Sequence, residues 1–71
     1  MEKDERLVRL GNRIKKLRLE KNISQFELAN RIGKDQPSLN RVEKGNINPS
    51  YLYLVEICEG IGIEMSELFN S

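Results

Sequence analysis

A chain of 71 residues, 38% hydrophobic and 32% charged, has room for one core under a few short elements and little for a deep substrate pocket. One cysteine, Cys58, and no histidine exclude an intrachain disulfide and a zinc site built from Cys and His. The charged start Met1-Glu2-Lys3-Asp4-Glu5-Arg6 is no signal peptide, and the longest apolar run, Tyr51 to Val55, falls far short of the ~18 residues a membrane helix needs, so a cytoplasmic protein is expected.

The net charge of +1 conceals an asymmetry. Residues 1–48 carry all 12 Lys and Arg against 7 Asp and Glu, a balance of +5; residues 49–71 carry no cation and four glutamates (Glu56, Glu59, Glu64, Glu67), a balance of −4. One part of the chain can face a polyanion and the other cannot.

In chain order, Leu7, Leu10, Ile14 and Leu17, continued by Lys21, recur at helical spacings and predict helix 1 from about Glu5 to Lys21, ending near Asn22. Residues 1–5 are expected to form a loose arm. Ser24-Gln25-Phe26-Glu27 is a capping box, flanked by Ile23 and Leu28 as a hydrophobic staple. Helix 2 should run to about Ile32, where Gly33 supplies a left-handed stop. Asp35 is an N-cap for helix 3, Pro37 falls in its first turn, Leu39 and Val42 are its buried pair, and Lys44-Gly45 end it. Asn48 or Ser50 caps helix 4, whose apolar face is Leu54, Ile57, Cys58 and Ile61 and which Gly60 and Gly62 should break. A short helix from Met65 to Phe69 closes the core with Leu68 and Phe69. No segment alternates with period two, so an all-α, five-helix single domain over residues 1–71 is expected.

Residues 25–44 form a 20-residue unit: helix, tight turn with glycine at its ninth position, helix. Small Ala29 lets the second helix approach, and Leu28, Ile32, Leu39 and Val42 set the crossing angle. Such a unit matches the DNA-binding helix-turn-helix, whose second helix enters the major groove.

From Leu10-Gly11-Asn12-Arg13-Ile14 through Ser24-Gln25-Phe26-Glu27-Leu28-Ala29, Val42-Glu43-Lys44-Gly45 and Asn48-Pro49-Ser50 to Ser66-Glu67-Leu68-Phe69, the sequence resembles the phage repressor and Cro-type (XRE) helix-turn-helix family over nearly its whole length. The resemblance implies a compact lambda-repressor-like bundle that binds operator DNA as a homodimer and regulates transcription, as a repressor or autoregulator. Gln25 would contact a phosphate and brace the recognition helix. Gln36 would read a base edge, since glutamine pairs bidentately with adenine. Arg41 would reach a base or a phosphate. Asn40, Lys44 and Asn46, with Lys34 at the turn, would position the protein on the DNA backbone. Pro37 stands where relatives carry a polar base reader; it can touch a thymine methyl but cannot hydrogen-bond, so DNA shape should supply part of the specificity. The resemblance also pairs Arg18 with Glu43 as a buried ion pair. Tyr51, Leu52, Tyr53 and Val55 on helix 4, or the helix 5 edge at Met65 and Phe69, would cover one another in the dimer.

Nothing in the chain composes a catalytic constellation: the usual general base is missing, Cys58 lies on an apolar helix face, and no Gly-rich phosphate loop occurs. No enzyme, cofactor or metal is expected. The alternative is a protein-interaction module, such as an antitoxin that neutralises a toxin partner.

Overall fold

The computed structural model describes residues 2–70, which contain five α-helices and no strand: α1 (Glu5–Glu20), α2 (Gln25–Arg31), α3 (Gln36–Glu43), α4 (Tyr51–Ile61) and α5 (Met65–Phe69). The expected boundaries hold to within a residue or two at each end.

Four of the five starts are fixed by a side chain that accepts from an orphan backbone amide. Asp4 accepts from the Arg6 amide, Ser24 from Glu27, Asp35 from Ser38 and Ser50 from Tyr53. The fifth, α5, opens with a complete capping box, Glu64 with Glu67, in which a glutamate takes the place of the usual Ser or Thr. The box expected at Ser24 is only half made. Ser24 Oγ accepts from the Glu27 amide at 3.0 Å, but the Glu27 carboxylate turns to Arg31 one helical turn on, at 2.6 Å. A charged partner at i+4 draws the carboxylate away from the cap amide.

The Asp4 cap is reinforced by charge. The Arg6 guanidinium and the Arg6 amide both donate to its carboxylate and lower its pKa from 3.8 to about 2. A depressed carboxyl pKa stabilises the folded end above the unfolded value, and that contribution is lost as pH falls from about 4 toward 2. Amide exchange at Arg6, Leu7 and Val8, corrected for intrinsic rate, is therefore expected to accelerate across that window while core amides stay protected. Asp4→Ala should abolish the pH step; if the step survives the substitution, the cap is not its source.

Inside the bundle, Ile14, Leu17, Ile23, Leu28, Ala29, Leu39, Val42, Leu54, Ile57, Cys58, Ile61 and Leu68 form one core drawn from all five helices and the α1–α2 turn. Asn22, the terminator of α1, has φ 58°, the left-handed conformation that asparagine tolerates. Ile23 and Leu28, the expected staple, are both in this core.

Two further expectations, both about the core, fail for tertiary reasons. Gly60 does not break α4, which continues to Ile61 and stops at Gly62 with φ 86°. A Cβ at Gly60 would stand 2.6 Å from Ile32 Cγ2 and 2.7 Å from Leu28 Cδ1. The glycine lets α4 lie close to α2, and Arg31 Nη1 fastens the contact by donating to the Gly60 carbonyl at 2.9 Å. Phe69 does not close the core: it is 62% exposed, and Leu68 alone enters.

A second glycine lets α1 lie against the backbone of α3. A Cβ on Gly11 would lie 2.4 Å from the Glu43 carbonyl oxygen and 2.5 Å from that of Val42. Backbone atoms cannot swing aside as a side chain can, so Gly11→Ala should lower stability by about 1–3 kcal/mol, although alanine is the better helix former by about 1 kcal/mol. The urea midpoint measures this; an unchanged or higher midpoint would show that α1 and α3 can separate without cost.

Candidate nucleic-acid interface

The two-helix unit is built by its punctuation. α2 ends as the Gly33 amide bonds to Asn30 O and the Lys34 amide to Ala29 O at 2.9 Å, with Gly33 at φ 69°. The chain then needs only Lys34 and Asp35 before α3 begins, and Asp35 Oδ1 takes the Ser38 amide at 2.7 Å. Pro37 sits in the first turn, where no amide is required.

This register sorts the side chains of α3. Leu39, Val42 and Glu43 are buried. Pro37, Arg41 and Lys44 follow one another at i, i+4 and i+7 and are exposed, as are Gln36 and, in the following turn, Asn46. Asn40 is half-buried at the edge of that face. The exposed face thus carries two cations and three amide or ring groups, with the apolar residues turned inward.

Gln25 and Gln36, at the first positions of α2 and α3, meet: Gln36 Nε2 donates to Gln25 Oε1 at 3.2 Å. Gln25 Nε2 in turn donates to Glu43 Oε1 at 3.1 Å. Glu43 is held by a bidentate ion pair, with Arg18 Nε at 2.7 Å from Oε2 and Arg18 Nη2 at 2.9 Å from Oε1. Arg18 Nη1 is satisfied by the Ile23 carbonyl at 2.8 Å. Both charged residues are only 5% exposed. The ion pair suggested by the resemblance is present, tied to the α1–α2 turn and, through Gln25, to the start of the exposed helix.

The remaining candidates are placed as follows. Lys34 is half-buried and faces α4, 3.5 Å from Glu56 and 5.2 Å from the centre of the Tyr53 ring, so its charge is partly spent inside the protein. Asn40, Lys44 and Gln25 share an open cleft with Lys3, Asn12 and Lys15. Lys3 Nζ donates to the Lys44 carbonyl at 3.0 Å, which draws the residues before α1 to the end of α3. Nothing in the sequence spacing singles out Lys3, Asn12 or Lys15. Cations surround helix 1 on every side but the apolar one, and only the packing of α1 on α3 selects which of them join the cleft.

On α4, Tyr53 is not a free apolar group. Its hydroxyl shares a hydrogen bond with Ser38 Oγ at 2.9 Å, and its ring packs on the core. Met65 likewise packs on the core and accepts from the Cys58 thiol at 3.4 Å. The exposed apolar surface of α4 and α5 therefore reduces to Tyr51, Leu52 and Phe69, at 74%, 64% and 62%, with Val55 half-buried.

The sequence and the fold both have counterparts among known proteins. The Helix-turn-helix family model matches residues 14–68. The control protein C.MunI from Mycoplasma sp is 42% identical over 64 residues, covering 89% of this chain and 86% of that protein. The crystal structure of the restriction-modification controller protein C.AhdI from Aeromonas hydrophila superposes with a TM-score of 0.90 at 35% identity, over 93% of this chain and all of that one. The restriction-modification controller protein C.Esp1396I, seen as a tetramer in complex with its natural 35 base-pair operator, superposes with a TM-score of 0.83 at 28% identity, over 89% of this chain and 83% of that one.

Proposed function

The chain belongs to the helix-turn-helix family, and from that premise we propose that it is a sequence-specific DNA-binding transcriptional regulator of the restriction-modification controller kind, acting as a homodimer on an approximately palindromic operator. The observation that carries this reading is the exposed face of α3. Gln36 stands at its start, Arg41 and Lys44 follow along it, and Gln25 at the start of α2 is hydrogen-bonded to Gln36. Gln36 reads a base edge and Pro37 touches the adjoining base or sugar. Arg41 reaches a base or a phosphate. Gln25, Asn40, Lys44 and Asn46 hold backbone phosphates, joined by Lys3, Asn12 and Lys15 along the cleft, while Lys34 contributes field more than contact.

The dimer is supported by the exposed Tyr51, Leu52 and Phe69, which leave apolar surface to cover on a very small protein. It is also supported by the operator-bound tetramer of C.Esp1396I. The named relatives are controllers, which favours transcriptional control over the antitoxin alternative. Binding, not catalysis, is the activity, and the compartment is the one that holds the DNA, the cytoplasm. No helix among the described residues is long and apolar enough to cross a membrane. Selection from a random duplex library at two salt concentrations tests the reading. An enriched palindrome is expected, with affinity falling steeply with salt; a library that returns no enriched motif would overturn it.

A further inference from the structure

We infer that the groove between α1 and α5 is a docking surface for an acidic amphipathic helix of a partner protein. Its floor is apolar, built from half-buried Leu7 and Leu10 and buried Leu68, with exposed Phe69 as one wall. Its rim is cationic: Arg6, Arg9, Arg13 and Lys16 line it, and no acid among the described residues does. These four recur at spacings of three, four and three and so form one stripe along α1. Lys15, which joins the cleft beside α3, lies on the other flank of the helix. Leu7 and Leu10 lie outside the apolar surface assigned to the dimer above.

The stripe carries charge that the protein does not neutralise. Arg6 pairs with Asp4 at 2.7 Å, but among the described residues no carboxylate pairs with Arg9, Arg13 or Lys16. Arg13 Nη2 donates to the carbonyl oxygens of Glu67 at 2.9 Å and Asn70 at 2.7 Å, and its Nε is buried without an acceptor. Those carbonyls pin a full positive charge at the end of α5. From Arg6 to Lys16 the stripe runs about 15 Å, or about three helical turns. A small anion meets one or two of its cations, whereas a helix laid along the groove meets all four, with its apolar face on Leu7, Leu10 and Leu68. A second copy of this chain supplies no such helix. Its α4 exposes Tyr51 and Leu52 but carries only Glu56 and Glu59, and Glu56 is already 3.5 Å from Lys34. In α5 the Glu67 carboxylate is taken by the Glu64 amide at 3.1 Å. The occupant is therefore the helix of another protein, with carboxylates on both sides of an apolar stripe.

The probe is a synthetic helical peptide of about fifteen residues, with leucines at i, i+4, i+7 and i+11 and glutamates flanking them. Titrated into the isotope-labelled full chain, it should shift amide resonances of α1 and α5 and leave those of α3 in place. Arg9 and Lys16 are exposed, so reversing them leaves the core untouched. Arg9→Glu with Lys16→Glu should weaken the peptide by about tenfold or more. A second peptide with lysine for every glutamate should do the opposite, binding the reversed variant better than the unaltered chain. The inference is overturned if the acidic peptide fails to bind, if its shifts fall on α3, or if the lysine peptide binds the unaltered chain equally well. It is also overturned if octanoate alone reproduces the shifts, which would make the occupant a small amphiphile. Sedimentation of Arg9→Glu with Lys16→Glu as a monomer, where the unaltered chain is a dimer, would give the groove to a second copy instead. A salt slope of operator binding made shallower by about two units in Arg9→Gln with Lys16→Gln would give the stripe to phosphates.

Discussion

Replacing Glu43 by alanine is expected to cost about 3–5 kcal/mol of folding stability. The substitution deletes a buried carboxylate and its stem, and the larger part of its effect comes from what is left behind. The Arg18 guanidinium stays buried, with Nη1 still bonded to the Ile23 carbonyl but Nε and Nη2 without acceptors. Withdrawing such a charge from water is offset only by a well-made pair, and alanine supplies none. A chain of this size has a total stability of roughly 4–10 kcal/mol, so the variant should lie near its unfolding midpoint without denaturant. Arg18→Ala should cost a similar amount for the mirror reason. The double substitution Arg18→Met with Glu43→Leu should recover much of the loss, because no unpaired charge remains. Urea unfolding of the two alanine variants and their combination, read as a double-mutant cycle, decides the matter. Additive losses, with no coupling between the two positions, would mean that the pair contributes little beyond the packing of its stems.

Much of this architecture was legible because it is written locally. A cap residue acts on amides two or three positions away, and a positive-φ glycine or asparagine acts on its own turn. Asp35, Ser50, Gly33 and Asn22 therefore did what their sequence positions implied. The apolar spacing of α1 and α4 found the core for the same reason. What escaped was set by neighbours far along the chain. Gly60 resembles a breaker, and only the approach of Leu28 and Ile32 shows that it is a contact surface. Phe69 and Leu68 are adjacent in a five-residue helix, too short for periodicity to say which of them points inward. Tyr53 resembles spare apolar surface until Ser38 is found against its hydroxyl.

The candidate interface divides in the same way. Gln25, Gln36, Arg41 and Lys44 were assigned by carrying the family resemblance onto the matching positions of the two-helix unit. The Arg18–Glu43 pair was accessible only through the family resemblance, since the two residues are 25 positions apart and periodicity puts neither clearly inside. The bond from Gln25 to Glu43 had no signal in the sequence. It depends on the crossing of α2 over the end of α3, which no spacing rule gives. Lys3 reaches Lys44 across 41 residues and was equally hidden.

The second large effect is expected on DNA. Gln36→Ala should weaken operator binding by about 1–3 kcal/mol per half-site, hence by about twice that for a symmetric dimer whose two α3 helices occupy major grooves one turn apart, roughly 34–36 Å. The loss should be confined to sequences that match at the position Gln36 reads, so the enriched motif should become degenerate there and persist elsewhere. Lys44→Ala should behave differently. Lys44 is exposed at the end of α3, in the cleft that also holds Lys3, Asn12 and Lys15, and on the reading proposed above it meets phosphates and not base edges. Its removal should weaken matched and unmatched duplexes about equally and make the dependence of log K on log salt shallower by about one unit per lost phosphate contact. The two variants thus separate along different axes, motif for one and salt slope for the other. Arg41 lies on the same exposed face between them, so Arg41→Ala reports which kind of contact it makes: a degenerate motif position assigns it to a base, and a shallower slope with the motif intact assigns it to a phosphate. Should Gln36→Ala leave the motif unchanged and Lys44→Ala leave the salt slope unchanged, α3 is not the face that meets DNA.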